Sequence, residues 1–338
     1  MDLLRIGIMG GGGWGLALAK LLAGNGHSLT VWEYDSQHLT LLRETHSNPI
    51  LLKGITLPDS VAYTGDFDDF FAFEPDYIII AVPSQYIRST LRSVSELLWI
   101  AHPPKGIILV SKGIELNSNK LMHQVLKDEL PAEFHQKIYA LSGPSHAEEV
   151  ARGVPTTVVI AGDNDAELIK LQAIFSNSFF RTYRSHDLIG VEIGGAVKNI
   201  IAIAAGIIKG IGFGDNTIGA LLSRGIVEIQ RLGLSLGARP ETFLGLSGIG
   251  DLITTATSEH SRNRYVGYEI GKGRKLSEII SGMSMVAEGV ATTKSVYDLA
   301  VERQVEMPIV TQVYQILYED KPASAAIKDL MLRDLKSE

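Results

Sequence analysis

In the first half of the chain, short apolar runs alternate with longer stretches whose apolar positions recur at the helical spacing, which is the pattern of strands joined by crossover helices. The runs Leu4 to Met9, Ser28 to Glu33, Tyr77 to Val82, Gly106 to Val110, Ile138 to Leu141 and Thr156 to Ala161 predict strands. Trp14 to Ala23, Gln85 to Leu97 and Asn119 to Glu129 predict helices between them. This β-α-β order predicts a parallel, doubly wound sheet. After His186 the spacing is helical throughout, over Ile189 to Lys209, Thr217 to Leu236, Glu241 to Leu246, Ser261 to Lys272, Leu276 to Ser281, Thr292 to Val305 and Pro308 to Tyr318. The expected division is an α/β domain over 1–188 and a mainly α-helical domain over 189–338.

Composition narrows the function. At 338 residues the chain exceeds what one core usually holds, in keeping with two domains. A net charge of −7 gives no broad attraction to nucleic acid or anionic membrane, so a small-molecule substrate is expected and, if anionic, a local basic pocket for it. The absence of cysteine excludes disulfides, thiolate nucleophiles and cysteine-held metals. Met1 to Arg5 run into the first strand without the segments of a secretory signal, and a cytoplasmic protein is expected. Ile189 to Ile211 is apolar enough to suggest a membrane span, but Glu192, Lys198 and Asn199 within it would be costly in lipid, so a buried core helix and no membrane insertion are expected. Long apolar helices of this kind also form subunit interfaces, which suggests a homodimer.

Directly after the first strand, Gly10-Gly11-Gly12-Gly13-Trp14-Gly15 fits the G-x-G-x-x-G spacing through Gly10, Gly12 and Gly15. Between a strand and a helix this marks a Rossmann-type dinucleotide site. Gly10 permits the turn, Gly12 lets backbone approach a pyrophosphate, and Gly15 lets helix and strand pack closely. At the end of the second strand, Glu33 or Asp35 is placed to accept hydrogen bonds from the adenosine ribose, with Tyr34 between them to pack on the adenine. No Arg or Lys follows at once, which leans toward NAD over NADP.

Lys198, in Gly194-Gly195-Ala196-Val197-Lys198-Asn199, places an ammonium in a strongly apolar helix. Desolvation and a nearby cation would fit it to exchange a proton with a developing alkoxide, and the glycines a turn earlier would leave space for a ligand. The plainer alternative is a lysine that snorkels, or that pairs with Glu192 or Asp251. Lys112 follows the strand ending at Val110, where strand ends line the ligand crevice of doubly wound folds; a surface lysine is the alternative. Ser261-Arg262-Asn263-Arg264 can cap a helix and gather amides and a guanidinium on an anion, or only cap. Asp251 among glycines can orient Lys198 or a substrate hydroxyl, or serve as a helix cap, and Glu288 is equally open. The histidines lack metal-ligand spacing and no carboxylates cluster, so no metal is expected. Ser145 lacks a nucleophile elbow.

Taken in order, Gly10 to Gly15, Ala81-Val82-Pro83-Ser84, Ser111-Lys112-Gly113, Ser142-Gly143-Pro144-Ser145, Gly195 to Asn199, Gly248-Ile249-Gly250-Asp251-Leu252, Ser261 to Arg264 and Ala287-Glu288-Gly289 resemble the bacterial NAD(P)-dependent glycerol-3-phosphate dehydrogenases. The resemblance implies a Rossmann-type N-terminal domain and a helical domain like the C-terminal one of 6-phosphogluconate dehydrogenase. It implies NAD or NADP as cofactor and interconversion of dihydroxyacetone phosphate and sn-glycerol 3-phosphate, feeding glycerophospholipid synthesis. In that frame Lys198 is the proton donor and acceptor, Lys112 touches substrate and cofactor, and Gly143, Ser145 and Ala147 line the site. Asp251, Ser261, Arg262 and Asn263 surround the substrate, and Arg262 also touches the nucleotide. Gly13 and Trp14 lie on the cofactor phosphates, while Val286 and Glu288 close over it. Tyr34 stands where the family often has a basic or histidine residue, and His146 where an aromatic one is usual. The rivals are a related two-domain keto- or hydroxy-acid reductase and a non-catalytic nucleotide sensor.

Overall fold

The structure is a computed structural model that describes residues 3–335 and 337. Met1, Asp2, Lys336 and Glu338, which the readings of the N-terminus and of the domain bounds take in, lie outside them. Eight strands form one sheet: β1 (Arg5–Met9), β2 (Ser28–Trp32), β3 (Val61–Thr64), β4 (Tyr77–Ile80), β5 (Gly106–Leu109), β6 (Ile138–Ser142), β7 (Thr156–Ala161) and β8 (Phe180–Ser185), in the order β3-β2-β1-β4-β5-β6-β7-β8. The strands read as unbroken apolar runs because both faces are covered. Ile6, Ile8, Ile79 and Ile108 face one core, while Met9, Ile78, Ile80, Ile107 and Leu109 face the other.

The sheet is not wholly parallel, because β7 runs antiparallel to β6. After β6 the chain turns at Gly143, forms the one-turn helix Ala147–Ala151, which packs on the helix Gly13–Gly24, and re-enters the sheet from the end it left. The expected helix over Gln85 to Leu97 is broken at Val94 and Ser95 into Ile87–Ser93 and Glu96–Ala101.

The chain divides into two compact units. The first comprises residues up to Lys112 together with Leu121–Val191; the second takes Gly113–Lys120 and everything from Glu192 onward. The boundary thus falls within the first turn of the helix Leu188–Ile211, and a short segment following Lys112 belongs with the C-terminal half.

The second unit is built around that helix, whose apolar window is wholly buried inside the protein. Its long apolar face is therefore core, and not the subunit interface that its sequence suggests. Against it lies the helix Arg262–Gly271, at backbone-to-backbone distance. A Cβ on Gly267 would sit 1.9 Å from the Ile203 carbonyl oxygen, and one on Gly206 would sit 2.1 Å from that of Arg264. Gly210 and Gly271 meet in the same way one turn further on. A mid-helix glycine costs about 1 kcal/mol relative to alanine, and here the contact could not form with any larger residue.

One buried charge in this unit belongs to a helix end. Glu228, in the helix Asp215–Ser235, accepts the backbone N–H groups of Ile309 (2.8 Å) and Val310 (3.2 Å) at the start of the helix Pro308–Tyr318. Burial pushes its carboxyl up to about 7, against the pull of those two N–H groups and of Arg231 and Arg333. The folded protein therefore holds this proton more tightly than the unfolded chain, and its contribution to stability falls as pH rises from about 4.5 to about 7. The drop is expected to be on the order of 3 kcal/mol and to vanish in Glu228→Gln, as read from urea midpoints of both proteins at about pH 5 and about pH 8.

Candidate active site

In the first unit the chain leaves β1 through Gly10, whose φ of +117° excludes other residues and whose missing Cβ would lie 2.8 Å from the Ala81 carbonyl carbon and the Val82 nitrogen. Gly15 packs onto the Gly10 carbonyl oxygen, 2.0 Å from where a Cβ would be. Gly12 differs from both: it is the N-cap of the helix Gly13–Gly24, and a Cβ there would meet nothing within 4 Å. The helix has no side-chain cap and no acidic residue in its first turn, so its first N–H groups and the positive end of its dipole lie beside open space. Gly13 lies against the Leu51 carbonyl oxygen, and the indole Nε1 of Trp14 is buried with no hydrogen-bond partner among the described residues.

The two acids after β2 part ways. Asp35 caps the helix Ser36–Thr45, its Oδ1 accepting from the backbone of Gln37 and His38 at 2.9 Å each, and the His38 N–H holds its carboxyl below the usual range. This capping engages Oδ1 of the residue that the spacing offers to a ribose. Glu33 is buried beside Gly11, accepts from the Asp35 N–H at 2.8 Å and has its carboxyl raised by burial. Tyr34 between them is 85% exposed.

Further along the sheet, Ser111 is fixed by its hydroxyl to the Val82 carbonyl (2.5 Å), and the Lys112 ammonium donates to the Gly143 carbonyl (2.9 Å). The Ser145 hydroxyl donates to that same oxygen at 2.9 Å, and Gly143 makes the turn with φ +131°. Ala147 opens the next helix with its Cβ 3.9 Å from where one on Gly13 would lie. Lys112, Gly143, Ser145 and Ala147 therefore gather at the carboxyl ends of β5 and β6, beside the glycine loop.

In the second unit, Lys198 is 5% exposed and its Nζ donates to Asp251 Oδ1 and to Thr255 Oγ1, at 2.5 Å each. Asp251 and Thr255 are buried too, and the threonine lies 3.3 Å from the same carboxylate oxygen. The ammonium thus has a carboxylate beside it, the Asp251 partner that was one of the sequence alternatives, and that counter-charge is what makes burial tolerable. Asp251 and Thr255 are one turn apart on the helix Asp251–Thr257 and share a face. Gly194 permits this approach: a Cβ there would lie 2.3 Å from the Ser247 carbonyl oxygen, so the space it leaves is filled by backbone and not kept for a ligand.

A second set adjoins it. The Asn263 side chain accepts from the Gly289 N–H (2.9 Å) and donates to Asn199 Oδ1 (2.9 Å), joining three helices. Ser261 caps the helix Arg262–Gly271 by accepting from the Arg264 N–H (3.2 Å), while Arg262 is exposed. Glu288 begins the helix Glu288–Arg303, and Val286 before it is exposed. Thr255 and Asn199 carry no role in the motif reading; the signal for Thr255 is its place four residues after Asp251, and for Asn199 its place beside Lys198.

A family model described as the NAD-dependent glycerol-3-phosphate dehydrogenase N-terminus matches residues 5–168, and its C-terminal counterpart matches 187–328. Among curated relatives, the chain is 49% identical over 335 residues to glycerol-3-phosphate dehydrogenase [NAD(P)+] of Chlorobium luteolum, covering 99% of each chain. It is 46% identical over 335 residues to the protein of that name from Geobacter sp. strain M21, covering 99% of this chain and 98% of the relative. The crystal structure of glycerol-3-phosphate dehydrogenase from Coxiella burnetii matches with a TM-score of 0.92 at 35% identity, over 98% of this chain and 99% of that one. With both units matched over nearly their whole length, the chain belongs to the NAD-dependent glycerol-3-phosphate dehydrogenase family.

Proposed function

We propose that this chain reversibly transfers hydride between NAD(P)H and the C2 carbonyl of dihydroxyacetone phosphate, giving sn-glycerol 3-phosphate for glycerophospholipid synthesis. The observation that carries the reading is the buried Lys198–Asp251–Thr255 group, in a chain whose other unit presents an uncapped helix N-terminus at a glycine loop. That loop fits a dinucleotide pyrophosphate: Gly12 leaves open space before a helix start that no side chain caps, so its first amides are available to an anion. The nicotinamide, when bound, supplies or accepts the hydride.

The chain's own residues do the rest. Lys198 gives its proton to the C2 oxygen as negative charge develops there, and takes it back in the reverse reaction. Asp251 and Thr255 hold the ammonium in one place and so orient the proton. Arg262 and the amides at the start of its helix hold the phosphate, and Ser261 contributes by fixing that helix start. Asn263 spends its oxygen on Gly289 and one N–H on Asn199, which leaves its other N–H for the phosphate. Lys112 holds substrate from the carboxyl end of β5, with Gly143, Ser145 and Ala147 around it, and Val286 and Glu288 belong to the cofactor side. A keto-acid reductase or a silent sensor is not favoured, given a family match over both units.

We infer a preference for NAD over NADP. A 2′-phosphate would face the carboxyl groups of Glu33 and Asp35, and the first lysine or arginine after them, Arg43, donates to the Tyr63 carbonyl. A cytoplasmic location goes with this reading because both reactants are soluble metabolites. A homodimer also goes with it, supported by the exposed apolar side chains of Leu234, Leu244 and Ile253.

Reduction of dihydroxyacetone phosphate, followed by the loss of NADH absorbance, is expected in the intact protein and to fall about a hundredfold or more in Lys198→Ala. Absence of turnover in a folded, nucleotide-binding protein would overturn the assignment. The ratio of kcat/KM for NADH to that for NADPH is expected to exceed about tenfold and to drop in Tyr34→Arg, which adds a cation beside the two acids. Asp251→Ala, by leaving Lys198 buried without its counter-charge, is expected to cost about 3–5 kcal/mol in urea unfolding, whereas Lys198→Met with Asp251→Leu recovers most stability and no activity.

A further inference from the structure

We propose that Ser295 is a positioning residue for Lys112: its buried hydroxyl holds the segment Gly113–Lys120, which begins one residue after that lysine, onto the helix Glu288–Arg303. The proposal rests on the reading of Lys112 as a substrate-holding side chain.

Ser295 has no solvent exposure, and a serine inside a helix commonly turns its hydroxyl back to the carbonyl one turn earlier. Here it lies 3.1 Å from the Glu115 carbonyl oxygen and 3.3 Å from that of Ile114, some 180 residues away in sequence. Packing alone does not require it, because alanine would fill nearly the same volume next to Val296 and Leu299. From Glu115 to Lys120 the segment it holds is a closed piece. Glu115 N–H donates to the Lys120 carbonyl (3.0 Å), Asn119 N–H donates back to Glu115 (3.1 Å), and Asn117 and Asn119 make the turn in the left-handed region. Only Gly113 separates Ile114 from Lys112, so a displacement at Ile114 reaches the lysine across two peptide links.

On its other side Lys112 is firmly set. Ser111 is tied to the Val82 carbonyl, and the lysine's own Nζ reaches the Gly143 carbonyl. The lysine thus sits on a short stretch of backbone tied at both ends, by Ser111 before it and by Ser295 after it. A misplacement of about 1 Å in such a side chain can cost about a hundredfold in rate, so a hydroxyl that prevents part of that shift has kinetic value.

The test uses the full-length protein with dihydroxyacetone phosphate and NADH, in Ser295→Ala, Ser295→Cys, Lys112→Ala and the Ser295→Ala/Lys112→Ala double variant. Ser295→Ala is expected to raise KM for dihydroxyacetone phosphate about tenfold with a smaller change in kcat, and Ser295→Cys, which keeps the size and a weak donor, to fall between. NADH affinity, measured by fluorescence, is expected to hold. In the Lys112→Ala background, removing the Ser295 hydroxyl is expected to change KM no further, a coupling that a purely structural serine would not show. A Ser295→Ala protein with lowered Tm and unchanged KM, or effects of the two single variants that multiply in the double, overturns the proposal. An unchanged KM in Lys112→Ala overturns instead the reading of Lys112 on which it stands.

Discussion

An ammonium withdrawn from water needs a counter-charge and hydrogen-bond acceptors, and meeting that need for Lys198 shapes much of the second unit. Asp251 must reach the lysine from another helix. The chain before it therefore runs tightly through Ser247 and Gly248, against the lysine helix at Gly194. Thr255 then falls into place by helical spacing alone. Next to the lysine on the same helix, Asn199 bonds Asn263, and Asn263 bonds the first turn of the helix that carries Glu288. The side chains that are proposed to act on substrate are thus held by a network in which each member also supports a helix end or a crossing.

The first unit solves a different problem. On the proposed reading it presents backbone amides to an anion without filling the space before them, and the work is divided among glycines. Gly10 makes the turn, Gly15 allows contact with it, and Gly12 alone faces open space. Glu33 beneath the loop replaces a solvated strand end with a buried carboxylate bonded to the backbone. The loop is therefore braced from below by the acid that the sequence offers to the ribose.

Features with a local cause were legible in the sequence: the glycine loop, the strands buried on both faces, the change to helical spacing and the oddity of a lysine in an apolar helix. Features whose cause is distant were not. β8 reads as polar because it is an edge strand with Arg181 and Tyr183 turned outward, and β3 is only four residues long. The break at Val94 and Ser95 carries no proline or glycine to mark it. The helix Asp251–Thr257 is masked by glycines that look like a loop, of which Gly248 in fact lies against the Phe243 backbone. Asp35 carries a second signal: Asp-Ser-Gln-His is also a helix-cap sequence, a role that the ribose expectation did not include. The pairing of Lys198 with Asp251 stood among the sequence alternatives, but choosing it over Glu192 required the fold.

The segment Gly113–Lys120 has a consequence for the order in which the protein is made. It leaves the ribosome about 180 residues before the serine that holds it. At typical synthesis rates that interval is on the order of ten seconds or more, ample time for the sheet of the first unit to form around it. Throughout it Ile114, wholly buried in the finished protein, lacks its partners from the C-terminal half. The nascent chain thus carries an unfinished loop in the middle of an otherwise completed domain, and only late synthesis of the helix Glu288–Arg303 can close it.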